Sequence, residues 1–333
     1  MTPILEAAAL NKRFRVRAEG FGRRRGTVHA VTDVSFRLHQ GETLGIVGES
    51  GCGKSTTARL LMGLIRPDGG DIMLDGHVAG SSPAELKSFR GAVQMVFQDS
   101  AASLNPRLTI EASIMFGPLV HGVGRDEARR RTLALLERVG LEPSRFAGRY
   151  PHELSGGQRQ RVNIARALAL RPRVVIFDEA VSALDKSVEA QVLNLLGDLK
   201  AEFGLSYIFI SHDLSVVRYI SDAVLVMYLG QVVEHGPVAR VYESPMHPYT
   251  RALLASMPSM DPEARTIEPP IAGDPPSPID PPSGCRFHTR CPFAEPVCSK
   301  AAPKSVTLAA DVQVACHMAD PDSGHFRAGS AAR

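Results

Sequence analysis

The sequence predicts an α/β fold built around a mainly parallel sheet. Three features predict it. Continuous apolar runs of strand length recur at Thr43–Val47, Val93–Phe97, Arg173–Phe177 and Ser206–Ile210, amphipathic helical segments lie between them, and a glycine-rich loop at Gly48 joins a strand directly to a helix. Strands that are apolar on both faces belong in sheets covered on both sides, and strands alternating with helices imply crossover connections.

The elements follow in order. Residues 1 to about 47 read as β-rich, with Ile4-Leu5, an alternating Val31–Leu38 and then Thr43–Val47. The loop Gly20–Gly26 carries Arg23, Arg24 and Arg25, which read either as a solvated turn or as a contact for anionic lipid or an acidic partner. Arg125–Val139 has helical spacing, with Leu133, Leu136 and Val139 on one face and arginines opposite. Ser187–Phe203 places Val188, Val192, Leu195, Leu196 and Leu199 inward, while Ala223–Tyr228 and Gln231–Glu234 read as a hairpin around Gly230. Nine of the 24 prolines fall in residues 256–283, which forbids helix and favours an extended linker. The expected organisation is therefore a main domain at 1–254, a linker at 255–283, a small cysteine-bearing lobe at 284–320 and a disordered tail at 321–333. No internal repeat is visible.

Composition excludes several classes. Hydrophobic content of 44% with 22% charged residues is that of a globular chain, and a net charge of +3 is too small to argue for nucleic acid. No run of about 18 apolar residues is present to span a bilayer. The N-terminus lacks a signal-peptide layout, so the chain is expected in the cytosol, where thiols stay reduced. Cys52 stands alone, whereas Cys285, Cys291, Cys298 and Cys316 cluster near the C-terminus. In a reducing compartment that cluster points to metal sooner than to disulfides.

The chemistry begins at the loop GESGCGKS, Gly48 to Ser55, which matches G-x-x-x-x-G-K-S/T between a strand and a helix. Gly48, Gly51 and Gly53 let the backbone turn so that N–H groups converge on phosphates, Ser50 and Cys52 fill the positions between them, and Thr56 opens the helix. Lys54 is suited to the β- and γ-phosphates of ATP and the Ser55 hydroxyl to Mg²⁺. Cys52 reads as a space-filler and an oxidation liability. Such a loop also needs an acidic group on Mg²⁺ and a group to activate water. Asp178 and Glu179, at the end of an apolar strand, supply both.

The string LSGGQRQR, Leu154 to Arg161, resembles the signature of the ATP-binding cassette (ABC) ATPases. Ser155 is placed to cap a helix, and Gly156 and Gly157 expose backbone N–H groups, making a second anion site with Gln158. The resemblance implies two chains packed head to tail, each signature facing the other's phosphate loop. It implies a P-loop cassette with a parallel-sheet core, an antiparallel β subdomain and a helical subdomain over about 99–167. Gln98 resembles the glutamine that touches Mg²⁺ and water, Asp185 the loop that crosses the dimer interface, and His212 the histidine at the γ-phosphate. Phe14 resembles the aromatic stacked on adenine, and Val31 is the alternative sharer of that role. Ala180 departs from the proline usual after the catalytic glutamate, with little expected effect.

FQDSAASLNPR from Phe97 to Arg107, YPHEL from Tyr150 to Leu154, HPYTRALL from His247 to Leu254 and the cysteine-bearing tail are similar to the ATPases of dipeptide, oligopeptide and nickel importers. The resemblance leans toward their F-type subunit. It implies a second, different ATPase chain, two transmembrane permease subunits, an extracytoplasmic solute-binding protein, and a place at the cytoplasmic face of the membrane. Four thiolates spaced C-x5-C-x6-C-x17-C fit zinc or a 4Fe–4S cluster, and the resemblance favours the cluster. The expected function is ATP hydrolysis powering peptide import. The alternatives are import of nickel or another small solute and, from another class, a soluble ABC ATPase acting on nucleic acid.

Overall fold

The computed structural model describes residues 2–16, 26–80, 82–257, 273–308 and 311–329. The Arg23–Arg25 loop and residues 258–272 of the proline-rich stretch lie outside the described residues. Two sheets organise the rest. One is antiparallel, in the order β2-β1-β4-β5, from β1 (Leu5–Val16), β2 (Gly26–Leu38), β4 (Gly69–Leu74) and β5 (His77–Val78). The other has eight strands in the order β11-β12-β10-β9-β3-β8-β7-β6. Its centre is parallel, running through β3 (Thr43–Val47), β6 (Val93–Val96), β7 (Val174–Asp178), β8 (Ser206–Ile210) and β9 (Ala223–Tyr228). The strands β10 (Gln231–Pro237), β11 (Ser305–Thr307) and β12 (Gln313–Ala315) extend it antiparallel.

Side-chain alternation explains why the central strands are apolar throughout. On β7, Val174 and Ile176 enter the core shared with the antiparallel sheet, whereas Val175 and Phe177 enter the core shared with the helices. Ile208 and Ile210 divide from Tyr207 and Phe209 on β8 in the same way. The helical subdomain joins the second core. Helices Ile110–Val120, Arg125–Arg138 and Gly156–Leu168 pack together, and Leu136 and Val139 are fully buried as the spacing predicts. The opposite face is an ion-pair surface, with Arg129 on Glu111 and both Arg130 and Arg131 on Glu127. Helix Lys186–Phe203 buries Val192, Leu196 and Leu199 as expected and adds Leu193, which completes an i, i+3 step to Leu196.

The C-terminal cysteine-bearing segment is not the separate lobe that was expected. β12 pairs with β10, Glu234 opposite Val314 and His235 opposite Gln313, so the segment completes the main sheet. Phe287 sits in the main core, its ring 5.3 Å from that of Tyr228 and 5.4 Å from that of Tyr249. The segment buries only a small cluster of its own, Val312, Val314, Cys316, Met318 and Ala319, while Phe287, with Cys285 and Cys291 beside it, joins the cassette's core. The expected disordered tail is also held as far as residue 329. His325 is buried with its ring nitrogen 3.0 Å from the Phe293 carbonyl oxygen, and the Phe326 N–H donates to Glu295.

Candidate active site

β3 is buried along its whole length and ends at Val47, one residue before Gly48, so the phosphate loop springs from the rigid centre of the sheet. Gly48 has φ +148°, and a Cβ there would lie 2.2 Å from the Met227 carbonyl oxygen. At Gly53, φ is +109° and a Cβ would lie 2.3 Å from the Ala30 oxygen. Both positions admit only glycine. Gly51 (φ +77°) needs glycine for its backbone conformation alone. Gly53 caps helix Lys54–Leu61 without any side-chain acceptor, and that helix has no acidic residue in its first turn. Its leading N–H groups are thus left to an anion. Ser50 is exposed and Thr56 half-buried on this loop.

Lys54 is buried, its ammonium donating to the carbonyl oxygens of Gly48 at 2.7 Å and Glu49 at 3.0 Å. The Ser55 hydroxyl donates to Asp178 Oδ1 at 2.9 Å. Burial pushes the Asp178 carboxyl above the usual carboxylate range, a shift the Ser55 bond opposes. Glu179 follows with φ +48°, a conformation costly for a residue with a side chain. Gln98 Nε2 donates to Glu179 Oε2 at 2.8 Å, and His212 Nδ1 lies 3.4 Å from the same oxygen. Gln98, Asp178–Glu179 and His212 follow β6, β7 and β8, so neighbouring parallel strands deliver them to one sheet edge, where open α/β sheets bind ligands.

The structure groups the other sequence-predicted residues differently. Ser155 Oγ accepts from the Gln158 N–H at 3.3 Å and Gln158 Oε1 accepts from the Ser155 N–H at 3.0 Å, a reciprocal cap on helix Gly156–Leu168. A Cβ on Gly157 would sit 2.6 Å from Val188, so that glycine also serves packing. The signature belongs to the helical subdomain, and Asp185 is the exposed residue that begins helix Lys186–Phe203. Phe14 on β1 is 40% exposed, with the Lys12 ammonium 5.6 Å from its ring centroid. Val31 is fully buried and takes no part at that surface, a correction to its expected share of the role. Cys52 is buried and its thiol is pushed up by that burial, which removes the expected liability to oxidation. Sequence reasoning missed the residues behind the loop. The Glu49 N–H donates to the Tyr249 hydroxyl at 2.9 Å, and the Glu49 carboxylate pairs with Arg290. Separations of 200 and 241 residues leave no local signal for either contact.

The cysteines come together without forming a metal centre. Cys285, Cys291, Cys298 and Cys316 line one cavity of about 10 Å³ with His247, Phe287 and Phe293. Among the described residues, however, no group of three or more His, Cys, Asp or Glu side chains is arranged to hold a metal ion. All four are free, and burial pushes Cys285 up to about 12 and Cys316 up to about 11. The expected four-cysteine metal site is therefore not seen among the described residues, and the space the thiols line has room for one water at most. The donor chemistry still suits a soft metal, and His247 Nε2, buried beside that cavity, has no hydrogen-bond partner.

Comparison with known proteins places this geometry. Residues 31–182 match the ABC transporter family and residues 233–298 match the oligopeptide/dipeptide transporter C-terminal region. The chain is 51% identical over 320 residues to the oligopeptide transport ATP-binding protein AppF of Bacillus subtilis, covering 95% of this chain and 97% of that one. It belongs to the oligopeptide-type ABC transporter ATP-binding proteins. A second such relative, OppF of Escherichia coli, is 51% identical over 315 residues, with 90% of this chain and 92% of that protein covered. Among solved structures, cbiO1 of Clostridium perfringens, part of the ABC transporter complex cbiONQ, matches with a TM-score of 0.63 at 29% identity over 73% of this chain and 92% of that one. The dimeric bacterial ABC transporter cassette MJ0796 matches with a TM-score of 0.61 at 28% identity, over 70% and 98%. The chain is therefore an ABC ATPase, and no described helix is long and apolar enough to cross a membrane.

Proposed function

We propose that this ABC ATPase powers the import of di- or oligopeptides. One observation carries the enzymology: Ser55 on Asp178, and Gln98 and His212 on Glu179, meet at the mouth of a loop whose lysine is already turned inward. Gly48 to Thr56, with Ser50, Gly51, Cys52 and Gly53 between, wrap the phosphates, and Phe14 takes the adenine. When nucleotide binds, Lys54 exchanges two carbonyl partners for β- and γ-phosphate oxygens. Ser55, Gln98 and Asp178 are the residues that would hold Mg²⁺, which spreads the charge of the phosphates. Glu179 then accepts a proton from the attacking water while His212 donates to the γ-phosphate. Ser155, Gly156, Gly157 and Gln158 close over the ATP of a second ATPase chain, with Asp185 at the same interface, in keeping with the dimeric cassette this fold resembles. The helical subdomain, about 99–167, docks on two permease subunits at the cytoplasmic face of the membrane. An extracytoplasmic binding protein delivers the cargo, and no nucleic acid takes part.

The peptide assignment rests on the C-terminal region match and on relatives named for oligopeptide transport. Vesicles carrying the permeases, this chain, its partner ATPase and the binding protein should take up labelled oligopeptide only with internal ATP. Uptake of nickel in place of peptide would overturn the substrate. For the cysteines, the reading is a 4Fe–4S cluster, with zinc as the alternative, supported by the four thiols that line one cavity, which would have to widen to take it. Such a cluster would staple the segment to the cassette. Anaerobically purified protein should be brown and contain iron, and Cys291→Ser should lose both. A colourless, iron-free preparation with stoichiometric zinc would sink the cluster.

A further inference from the structure

Glu49 is an awkward residue to find in a phosphate loop. It follows Gly48 directly, and its carboxylate puts a negative charge beside the place where a triphosphate is to bind. The structure deals with it from behind. The guanidinium of Arg290 takes the carboxylate in a two-point grip, Nη1 to Oε2 at 2.9 Å and Nη2 to Oε1 at 3.2 Å, with the Arg290 side chain only 6% exposed. Arg290 is itself anchored by the Gly273 carbonyl oxygen at 3.0 Å and the Tyr228 hydroxyl at 3.4 Å. The fully buried Tyr249 accepts the Glu49 N–H, which fixes the peptide between Gly48 and Glu49. The two carbonyls that hold Lys54 belong to Gly48 and Glu49, so the same short stretch that Arg290 and Tyr249 pin also sets where the lysine starts. A second arginine of the segment reinforces this. Arg286 donates to the Leu229 carbonyl oxygen and to Thr32 Oγ1, and the adjoining Gly230 N–H donates to the Cys52 carbonyl oxygen at 2.8 Å.

We propose that Arg290 is a positioning residue for ATP binding, neutralising Glu49 and, with Tyr249, holding the phosphate loop from its far side. Arg290 acts through Glu49, the carboxylate its guanidinium grips. The C-terminal segment thereby becomes part of the nucleotide grip, and ATP affinity depends on how that segment is seated. The proposal rests on the reading of Gly48–Thr56 as the ATP loop, but its test does not require transport or turnover.

Mg·ATP binding to the full chain, measured calorimetrically in a Glu179→Gln background, separates the two. Absence of binding by the Glu179→Gln parent would count against the ATP reading itself. Arg290→Gln should weaken binding on the order of tenfold, because a unit charge is left uncompensated close to the phosphates, and the loss should shrink in high salt. Adding Glu49→Gln to Arg290→Gln should restore affinity to within about threefold of the parent, which a merely structural role for the arginine would not do. Arg290→Lys, which keeps the charge but not the fork, should fall between. With Glu179 intact, Arg290→Gln should raise KM for ATP and leave kcat nearly unchanged. Unaltered affinity in Arg290→Gln, or a double variant as weak as the single one, would overturn the proposal. Should Arg290→Gln alone fail to fold, the double variant decides: parental or tighter binding supports the proposal, and weaker binding overturns it.

Discussion

The front and the back of the phosphate loop are built on opposite terms. At the front, Glu179 accepts from Gln98 and lies 3.4 Å from His212 Nδ1 in a partly open cleft, and the His212 side chain is 60% exposed. At the back, Glu49 meets Tyr249, which is fully buried, and Arg290, which is nearly so. On the proposed mechanism the front contacts are exchanged: Lys54 leaves two carbonyls for phosphates, and Glu179 turns from a glutamine and a histidine to a water. The back contacts are buried, and on the proposal above they keep the loop's shape while the front changes partners. Rigidity and exchange are thus placed on opposite sides of one loop, which keeps the cost of reorganisation low when the ligand arrives.

That division can be broken in order of expected effect. Glu179→Gln should cut ATP turnover by about 10²–10⁴ while leaving ATP binding and the unfolding midpoint of the nucleotide-free chain unchanged. Undiminished hydrolysis would remove Glu179 as the base, and a large loss of stability would mean that the front is structural after all. The loss of ATP affinity expected for Arg290→Gln comes next. Tyr249→Phe should then do the reverse of Glu179→Gln. It strands the Glu49 N–H, so denaturant unfolding should show a loss of about 1–3 kcal/mol while turnover at saturating ATP holds. Equal effects of the two variants on stability would erase the distinction between front and back.

The smallest effect tests the seam that carries the back. His235 on β10 is paired with Gln313 of β12, and burial holds its imidazole below the ordinary value of 6.5, with the Gln313 bond opposing. As pH falls through 6.5 the unfolded chain takes up a proton that the folded chain refuses, so stability from this group is present above 6.5 and lost below it. His235→Gln should flatten that part of the pH–stability curve, and an unchanged slope would show that the seam does not titrate.

Much of the site was legible because it is written in local chemistry. The glycines announce a backbone that only glycine adopts, and Gly48 and Gly53 turn out to face carbonyl oxygens at distances no Cβ tolerates. Ser155 and Gln158 are spaced as a reciprocal cap and form one. Apolar runs found the strands that end at Asp178 and just before His212, and periodicity found the buried face of helix Lys186–Phe203, missing Leu193 at its margin. Periodicity failed where an element is short or borrows its partner. Val306 and Val314 sit on strands of three residues, too short for alternation to register, and nothing near Val314 announces β10 as its neighbour.

By itself, then, the sequence determined the cassette, the phosphate loop and the carboxylates at the end of β7, since each is specified by motifs whose residues lie within a few positions of one another. Only the tertiary structure decided that Glu179 shares one oxygen with Gln98 and His212, that Val31 is core, and that the cysteines surround one cavity without closing on it. It alone decided that the C-terminal segment is a brace for the loop. Arg290 and Glu49 stand 241 residues apart, and a contact over that distance is set by the sheet that brings their elements together.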